Sequence, residues 1–288
     1  MTRRYENADA LRRALMDRLR TQSLASGQPV NTLLTKVMME RLLARLFEDE
    51  RGPWLLKGGY AFELRYRPNA RTTRDLDLSV LGAREESAKA KLEAVHVALA
   101  SAAALDLGDF MRFEISVARR ELTAAPFGGA TFPVQARLGD KPLGQFHVDV
   151  AFSEGSLGQV EELIGADVLG FAGLPPARVR AISKAQQFAE KLHAYTFPWA
   201  GRENTRVKDL VDMVMLIERE TIDPNELRRA ATAVFAARDR QALPAQLASP
   251  PAAWRERYPD LASQARVGAR DVDAAFALLA AYWASVIR

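Results

Sequence analysis

The chain has 288 residues, 48% hydrophobic and 26% charged, with no Cys and only three His: His96, His147 and His193. Those figures exclude an intrinsically disordered chain and a disulfide-stapled scaffold, and they leave no thiol nucleophile, no zinc ribbon and no His-rich metal centre. Forty Lys and Arg against 36 Asp and Glu give a net charge of +4, too small to point to nucleic acid by itself, although eight Lys against 32 Arg makes each Lys informative.

From the N-terminus, Met1-Thr2-Arg3-Arg4-Tyr5 is followed by no apolar segment of the kind a secretory signal carries. No run of the sequence reaches the roughly 18 apolar residues of a membrane span, so a cytoplasmic protein without membrane association is expected. Residues 8–50 read as two helices, the first with Leu11, Leu15 and Leu19 at helical spacing, a break at Gly27-Gln28-Pro29, and the second from Thr32 to about Phe47. Trp54-Leu55-Leu56 is a short apolar strand running into Lys57-Gly58-Gly59, and a helical pattern resumes over Tyr60 to Tyr66. Arg74 to Val80 alternates as a strand, with Leu76, Leu78 and Val80 on one face and Asp75, Asp77 and Ser79 on the other. An Ala-rich helix is predicted over Glu85 to Ala104, with His96 a packing residue inside it. Strands are predicted over Phe110–Glu121, Thr131–Leu138 and Gln145–Phe152. Beyond about residue 155 the pattern turns helical, over Ile182–Tyr195, Val207–Arg219, Pro224–Arg240 and Val272–Ile287, with Pro-rich links such as Ser249-Pro250-Pro251. The expected plan is α+β: a mixed-sheet domain with N-terminal helices over 1–165, then a helical domain over 166–288.

The chemistry concentrates in three places. On a strand, Asp75 and Asp77 point to one side, and paired carboxylates there invite a hard divalent cation with substrate phosphates; a solvent-facing strand edge is the better explanation of a lone Asp-x-Asp, and the context of the next two features shifts the balance. Gly58-Gly59 marks a strand-to-helix turn where backbone amides can cradle phosphate. Phe146-His147-Val148-Asp149-Val150 offers a third carboxylate, Asp149, which would complete the set two metal ions require if its strand pairs beside Asp75-Leu76-Asp77. In the helical half, Lys184, Gln187 and Lys191 fall on one face at i, i+3, i+7, which a solvated surface stripe would also explain. Asp212, in the apolar run that follows Lys208-Asp209, needs a cation, with Lys191 and Arg206 the candidates; a structural salt bridge is the competing explanation.

Taken together, Lys57-Gly58-Gly59-x3-Glu63-Leu64-Arg65-Tyr66, Arg71-x-Thr73-Arg74-Asp75-Leu76-Asp77, Glu190-Lys191-Leu192-His193-Ala194 and Lys208-Asp209-Leu210-Val211-Asp212 resemble, in order and spacing, the AbiEii/AbiGii toxin family of nucleotidyltransferases, which includes the MenT-like toxins. The resemblance covers about residues 50–220. It implies a DNA-polymerase-β-like nucleotidyltransferase core with a mixed sheet and a helical C-terminal domain that completes the active site. It further implies a toxin of a bacterial toxin–antitoxin system, with a cognate antitoxin protein as partner. The activity implied is transfer of nucleotides from NTP to the 3′ acceptor end of tRNA, with release of pyrophosphate and a block on translation. Mg²⁺ is the implied cofactor, with Mn²⁺ as a substitute, and a monomer is the default assembly.

Carried over by residue, Asp75, Asp77, Lys191 and Asp212 are the implied catalytic set, and Asp75, Asp77 and Asp149 the implied metal ligands. Lys57, Gly58, Gly59, Thr73, Lys184 and Lys208 are the implied nucleotide contacts. Thr73 stands where some relatives carry Ser, and the doubled Gly departs from the Gly-Ser of many polymerase-β-like enzymes. Arg65, Arg67, Arg71 and Arg74, or Arg228 and Arg229, are candidates to carry an RNA acceptor. A nucleotidyltransferase acting on a protein or small-molecule hydroxyl would use the same Gly-Gly and Asp-x-Asp. A non-catalytic binding protein of the same fold and an Asp-x-Asp glycosyltransferase are the remaining alternatives.

Overall fold

Alternation in the first half and 3.6-residue periodicity in the second resolve into a sheet and a set of helices. The computed structural model describes all residues except 1–4, 68–72, 74, 82–86, 123–124, 154–158, 200, 202 and 240. Two compact units are present: Met1–Leu64, Thr73–Ser156 and Glu161–Ala181 form one, and Arg65–Thr72, Leu157–Val160 and Ile182–Arg288 the other.

In the first unit, α1 (Ala8–Ser26) and α2 (Val30–Leu46) precede β1 (Trp54–Lys57), α3 (Gly58–Tyr66), β2 (Leu76–Leu81) and α4 (Ala88–Ala103). The strands β3 (Met111–Ile115), β4 (Arg120–Glu121), β5 (Gly129–Leu138), β6 (Lys141–Ser153), β7 (Val160–Ile164) and β8 (Arg178–Ile182) follow. Among the described residues they make one mixed sheet in the order β3-β5-β6-β2-β1-β8-β7, with β4 pairing β5. The pairs β1–β2 and β5–β6 are antiparallel, whereas β2–β6 and β1–β8 are parallel. One face of the sheet is apolar. Leu76, Leu78, Phe132, Val148 and Val150 are fully buried there, in a core shared with Val37, Met38, Leu42 and Leu99 of α2 and α4. The cap of α1 is Asn7, which accepts from the Ala10 amide, and Gly27 ends the helix at φ 70.

The second unit holds α5 (Lys184–Thr196), α6 (Val207–Arg219), α7 (Pro224–Arg238), α8 (Trp254–Ala265) and α9 (Val272–Val286); α5, α8 and α9 pack on α6, and α7 packs on α5 and α9. Val207, Leu210, Val211, Met213, Val214 and Leu216 of α6 are all buried. Ser183, Asp223 and Asp271 cap α5, α7 and α9. No helix among the described residues is long and apolar enough to cross a membrane.

The expected mixed sheet and C-terminal helices are present, with four local differences. The predicted strand over Phe110–Glu121 is two strands, because the chain leaves the ladder between Ile115 and Arg120. Strands β7 and β8 occupy a stretch where helices were expected to begin; β8 follows Pro175-Pro176, and its buried Val179 and Ala181 place it beside β1. Helix α8 was not anticipated, because Pro259 lies inside it. Finally, α3 starts at Gly58 itself, so both glycines belong to its first turn. The expected strand start at Arg74 and helix start at Glu85 fall outside the described residues.

Candidate active site

The first unit brings its predicted residues together through strand register. Antiparallel pairing sets Lys57 opposite Asp77, and parallel pairing sets Asp77 opposite Asp149. Directly paired residues project from the same face of a sheet, with strands ~4.8 Å apart, so the two carboxylates are lateral neighbours on the face opposite the apolar core. Both are half-buried, and the Thr131 hydroxyl donates to Asp149 Oδ1 at 2.6 Å. Asp75 precedes β2 and is exposed; its amide donates to Thr73 Oγ1 at 3.4 Å.

Gly58 lies directly against this pair. Its φ is +64, and a Cβ placed on it would stand 2.0 Å from Asp77 Oδ2 and 2.6 Å from Asp77 Cγ. Only Gly fits: the left-handed backbone and the contact with Asp77 each exclude a side chain. The turn thus brings the backbone amides of the first turn of α3 beside a carboxylate-bearing strand, a place whose groups suit both phosphate and a cation bound to it. Lys57 and Gly59 flank it, both half-buried.

Thr73 is buried, and its amide donates to Glu63 Oε2 at 3.1 Å, while Lys36 Nζ lies 2.5 Å from Glu63 Oε1. Glu63 therefore ties α3 to the segment leading into Asp75 and Asp77. It stands within the quoted sequence motif but was given no role there.

The second unit holds the other cluster. Lys191 on α5 reaches two carboxylates of α6, Asp212 Oδ2 at 2.7 Å and Asp209 Oδ1 at 3.0 Å. Asp212 is fully buried and Lys191 is 8% exposed. Arg206, at the rim, lies 3.9 Å from Asp209. Of the two candidate partners for Asp212, Lys191 makes the contact and Arg206 joins Asp209 instead. The sequence reading missed Asp209, although its i, i+3 spacing from Asp212 places both on one helix face.

The expected Lys184–Gln187–Lys191 stripe is three separate environments. Lys184 pairs with Glu220 at 2.8 Å, and Gln187 is 1% exposed and accepts from the Arg65 guanidinium. Lys208 is exposed and takes no part in the Lys191 cluster. Among the arginines considered for RNA, Arg65 also donates to the Ile182 carbonyl and Arg228 donates to the Val286 carbonyl at 2.8 Å, so both are engaged internally. Arg67 and Arg229 are exposed, and Arg71 and Arg74 lie outside the described residues. His96 stacks on Phe132, and its ring Nε2 meets the Ile115 carbonyl at 2.9 Å, a packing role.

Among the described residues no three His, Asp or Glu side chains form a ready-made cation site. Asp77 and Asp149 nevertheless supply two hard oxygen donors on adjacent strands. That donor set fits Mg²⁺, which characteristically takes one or two carboxylates and completes its shell with water and substrate phosphates.

The profile of the nucleotidyl transferase AbiEii toxin family, a type IV toxin–antitoxin system, matches residues 41–278. The chain belongs to the AbiEii nucleotidyltransferase toxin family. A search of curated proteins finds no match. Among solved structures, MenT4, a nucleotidyltransferase toxin of Mycobacterium tuberculosis H37Rv, shares the fold with TM-score 0.56 at 18% identity, over 91% of this chain and 93% of that one. Weaker likenesses are to the antibiotic-resistance factor ANT(2″)-Ia, with TM-score 0.37 at 16% identity over 72% of this chain and 92% of that one, and to a nucleotidyltransferase-like protein of Paracoccidioides brasiliensis, with TM-score 0.34 at 15% identity over 81% and 92%. The AbiEii match makes this chain a toxin nucleotidyltransferase with the nucleotidyltransferase fold.

Proposed function

We propose that this AbiEii toxin transfers a nucleotidyl group from NTP to the 3′-hydroxyl at the acceptor end of tRNA, releasing pyrophosphate and so blocking aminoacylation and translation. The observation that carries the reading is the register Lys57–Asp77–Asp149 beside the Gly58 turn. It puts backbone amides at the start of α3 against Asp77, with Asp149 beside it on the next strand, groups whose chemistry suits a phosphate and a hard cation. In this reading Gly58, Gly59 and Lys57 bind the triphosphate, and Thr73 contacts phosphate or holds Asp75. Asp75, Asp77 and Asp149 hold Mg²⁺, for which Mn²⁺ would substitute. Bound there, the metal would neutralise triphosphate charge and favour the ionised acceptor hydroxyl.

The chain's own contribution is alignment. Asp149 is held in place by Thr131, and Glu63 fixes the approach to Asp75. The first tie orients a carboxylate and the second fixes the backbone leading to Asp75, and both favour the geometry that in-line attack at the α-phosphorus needs. In the second unit Lys191 and Asp212 are the proposed essential pair, with Lys184 and Lys208 contributing positive charge toward the nucleotide. Membership of a toxin–antitoxin family supports a cognate antitoxin as partner, and a monomeric enzyme acting in the cytoplasm completes the reading.

Transfer from each of four α-³²P-labelled NTPs to total tRNA, with an Asp75→Ala control, tests this. Label in tRNA that requires Mg²⁺ and vanishes in the variant is the expected result. Label appearing in protein or small-molecule fractions instead would overturn the acceptor assignment but keep the enzyme class.

A further inference from the structure

The row of cross-strand partners that carries Asp77 and Asp149 continues across the sheet. Asp149 pairs with Thr131 of β5, and Thr131 pairs with Arg120 of β4. At ~4.8 Å per strand, two carboxylates, a hydroxyl and a guanidinium therefore stand in line on one face, with Arg120 about 10 Å from Asp149. Alternation along β6 places His147 and Gln145 on that same face, roughly 7 and 13 Å from Asp149. Farther on, Arg137 pairs with Arg112 of β3. Arg112, Arg120, Gln145 and His147 are all exposed, while the intervening Phe132, Val134, Phe146 and Val148 are buried on the other side.

This stretch is open, polar and continuous with the carboxylates. Apart from the carboxylates themselves, its charges are Arg112, Arg120 and Arg137 against Glu114 and Asp140; Arg112 lies 3.9 Å from the Asp140 carboxylate and Arg137 donates to the Asp140 carbonyl, which leaves Arg120 as the guanidinium nearest the carboxylates. An RNA strand whose terminal hydroxyl lies at Asp77 and Asp149 must run its phosphates over neighbouring surface. The carboxylates repel those phosphates unless cations stand close behind, and Arg120 stands there.

We propose that this sheet face binds the single-stranded 3′ end of the RNA acceptor. Arg120 meets a backbone phosphate and His147 and Gln145 meet the next nucleotide. The inference rests on the RNA-acceptor reading above. The mode is sequence-tolerant contact with the backbone, led by the Arg120 guanidinium.

The test uses the full chain and total tRNA. The variants are Arg120→Glu and His147→Glu, and Arg20→Glu serves as the control because it makes the same charge change on α1, at a side chain 66% exposed. Affinity is read by anisotropy of 5′-labelled tRNA across a salt series, and transfer kinetics are read for tRNA and NTP separately. Arg120→Glu is expected to raise the Kd and KM for tRNA at least tenfold. It should also lower the salt slope by about 0.7–0.9, the loss of one phosphate contact, and leave the KM for NTP unchanged. His147→Glu should act in the same direction and Arg20→Glu should do neither.

Wild-type affinity and slope in both Arg120→Glu and His147→Glu, or equal weakening in Arg20→Glu, overturns the proposal while leaving the transfer reaction intact. Wild-type protein that binds tRNA without labelling it refutes the acceptor reading, and the variant affinities still decide the face. No tRNA binding by the wild type at 50 mM salt overturns both.

Discussion

In the first unit one carboxylate, Asp109, is shared by two guanidiniums; in the second, one ammonium, Lys191, is shared by two carboxylates. The first cluster is built to be enclosed. Arg45 grips Asp109 with both terminal nitrogens, at 2.9 and 2.7 Å, and donates to the carbonyls of Arg41 and Met111, while Asp109 Oδ1 accepts from the Met111 amide. A planar fork suits such bidentate, backbone-anchored service, and the result locks α2 to the segment entering β3. The second cluster uses a flexible point charge, one ammonium set between two carboxylates of α6, with Arg206 3.9 Å from Asp209 at its rim. Burial, then, does not distinguish a clamp from a site, and the two clusters differ instead in the choice of Arg or Lys.

The strongest way to break that comparison is Asp109→Asn, which leaves two buried guanidiniums without a counter-charge. A loss of about 3–5 kcal/mol in unfolding free energy is expected, read by denaturant melts, with the folded fraction keeping its transfer activity per molecule. Asp212→Asn is the mirror experiment. Lys191 keeps Asp209, so stability should stay within about 1 kcal/mol, while transfer should fall 10²–10³-fold, about 2.7–4 kcal/mol in the barrier. Full activity with a large loss of stability in Asp212→Asn would make the second cluster a clamp like the first.

Gly58→Ala comes next. It combines a left-handed backbone, costing about 1–2 kcal/mol for an L-residue, with a Cβ driven into Asp77. Gly27→Ala at φ +70, where nothing lies within 4 Å, carries the backbone cost alone. A larger thermal shift in Gly58→Ala than in Gly27→Ala, with transfer lost only in Gly58→Ala, is the expected result, read by thermal melts and the transfer assay.

How much of this could be read from the sequence depended on how local each signal was. The Gly-Gly turn, the alternation through Asp75 and Asp77 and the need of Asp212 for a cation are each contained in a dozen residues or fewer, and the structure keeps the turn, the strand from Leu76 onward and the Lys191 contact. What failed depends on distant partners. Periodicity put Lys184, Gln187 and Lys191 on one helix face but could not tell that Gln187 meets Arg65 while Lys184 meets Glu220. β8 was hidden because Pro175-Pro176 and two alternating Arg look like a loop until β1 is beside them, and α8 because Pro259 is a helix breaker that the burial of Trp254, Tyr258 and Ala262 overrides.

A smaller effect follows from acid. Burial pushes the Asp109 carboxyl up, but the hydrogen bonds and charges of Arg45 and then Arg41 outweigh it and hold the group below its ordinary range. A folded-state pKa below the unfolded value, near 3.9, means that this stabilisation is complete above about pH 4 and is lost as pH falls through the folded value. Melts between pH 5 and pH 2 should steepen in the wild type and flatten in Asp109→Asn.

The smallest expected effect concerns Lys184, whose partner Glu220 competes with any role toward nucleotide. The pair is half-exposed, at 33% and 22%, so its worth to stability is about 0.2–1 kcal/mol and should fade with salt. Lys184→Gln and Glu220→Gln remove the same ion pair and should therefore lower stability equally. They differ in what they leave behind: the first removes a cation, and the second releases one. If Lys184 serves the nucleotide, Lys184→Gln raises the KM for NTP by a few fold, and Glu220→Gln leaves it unchanged or lowers it. Equal KM values in the two variants would reduce Lys184 to a surface tie between α5 and the end of α6, and would leave Lys191 as the cation of α5 on which the proposed chemistry depends.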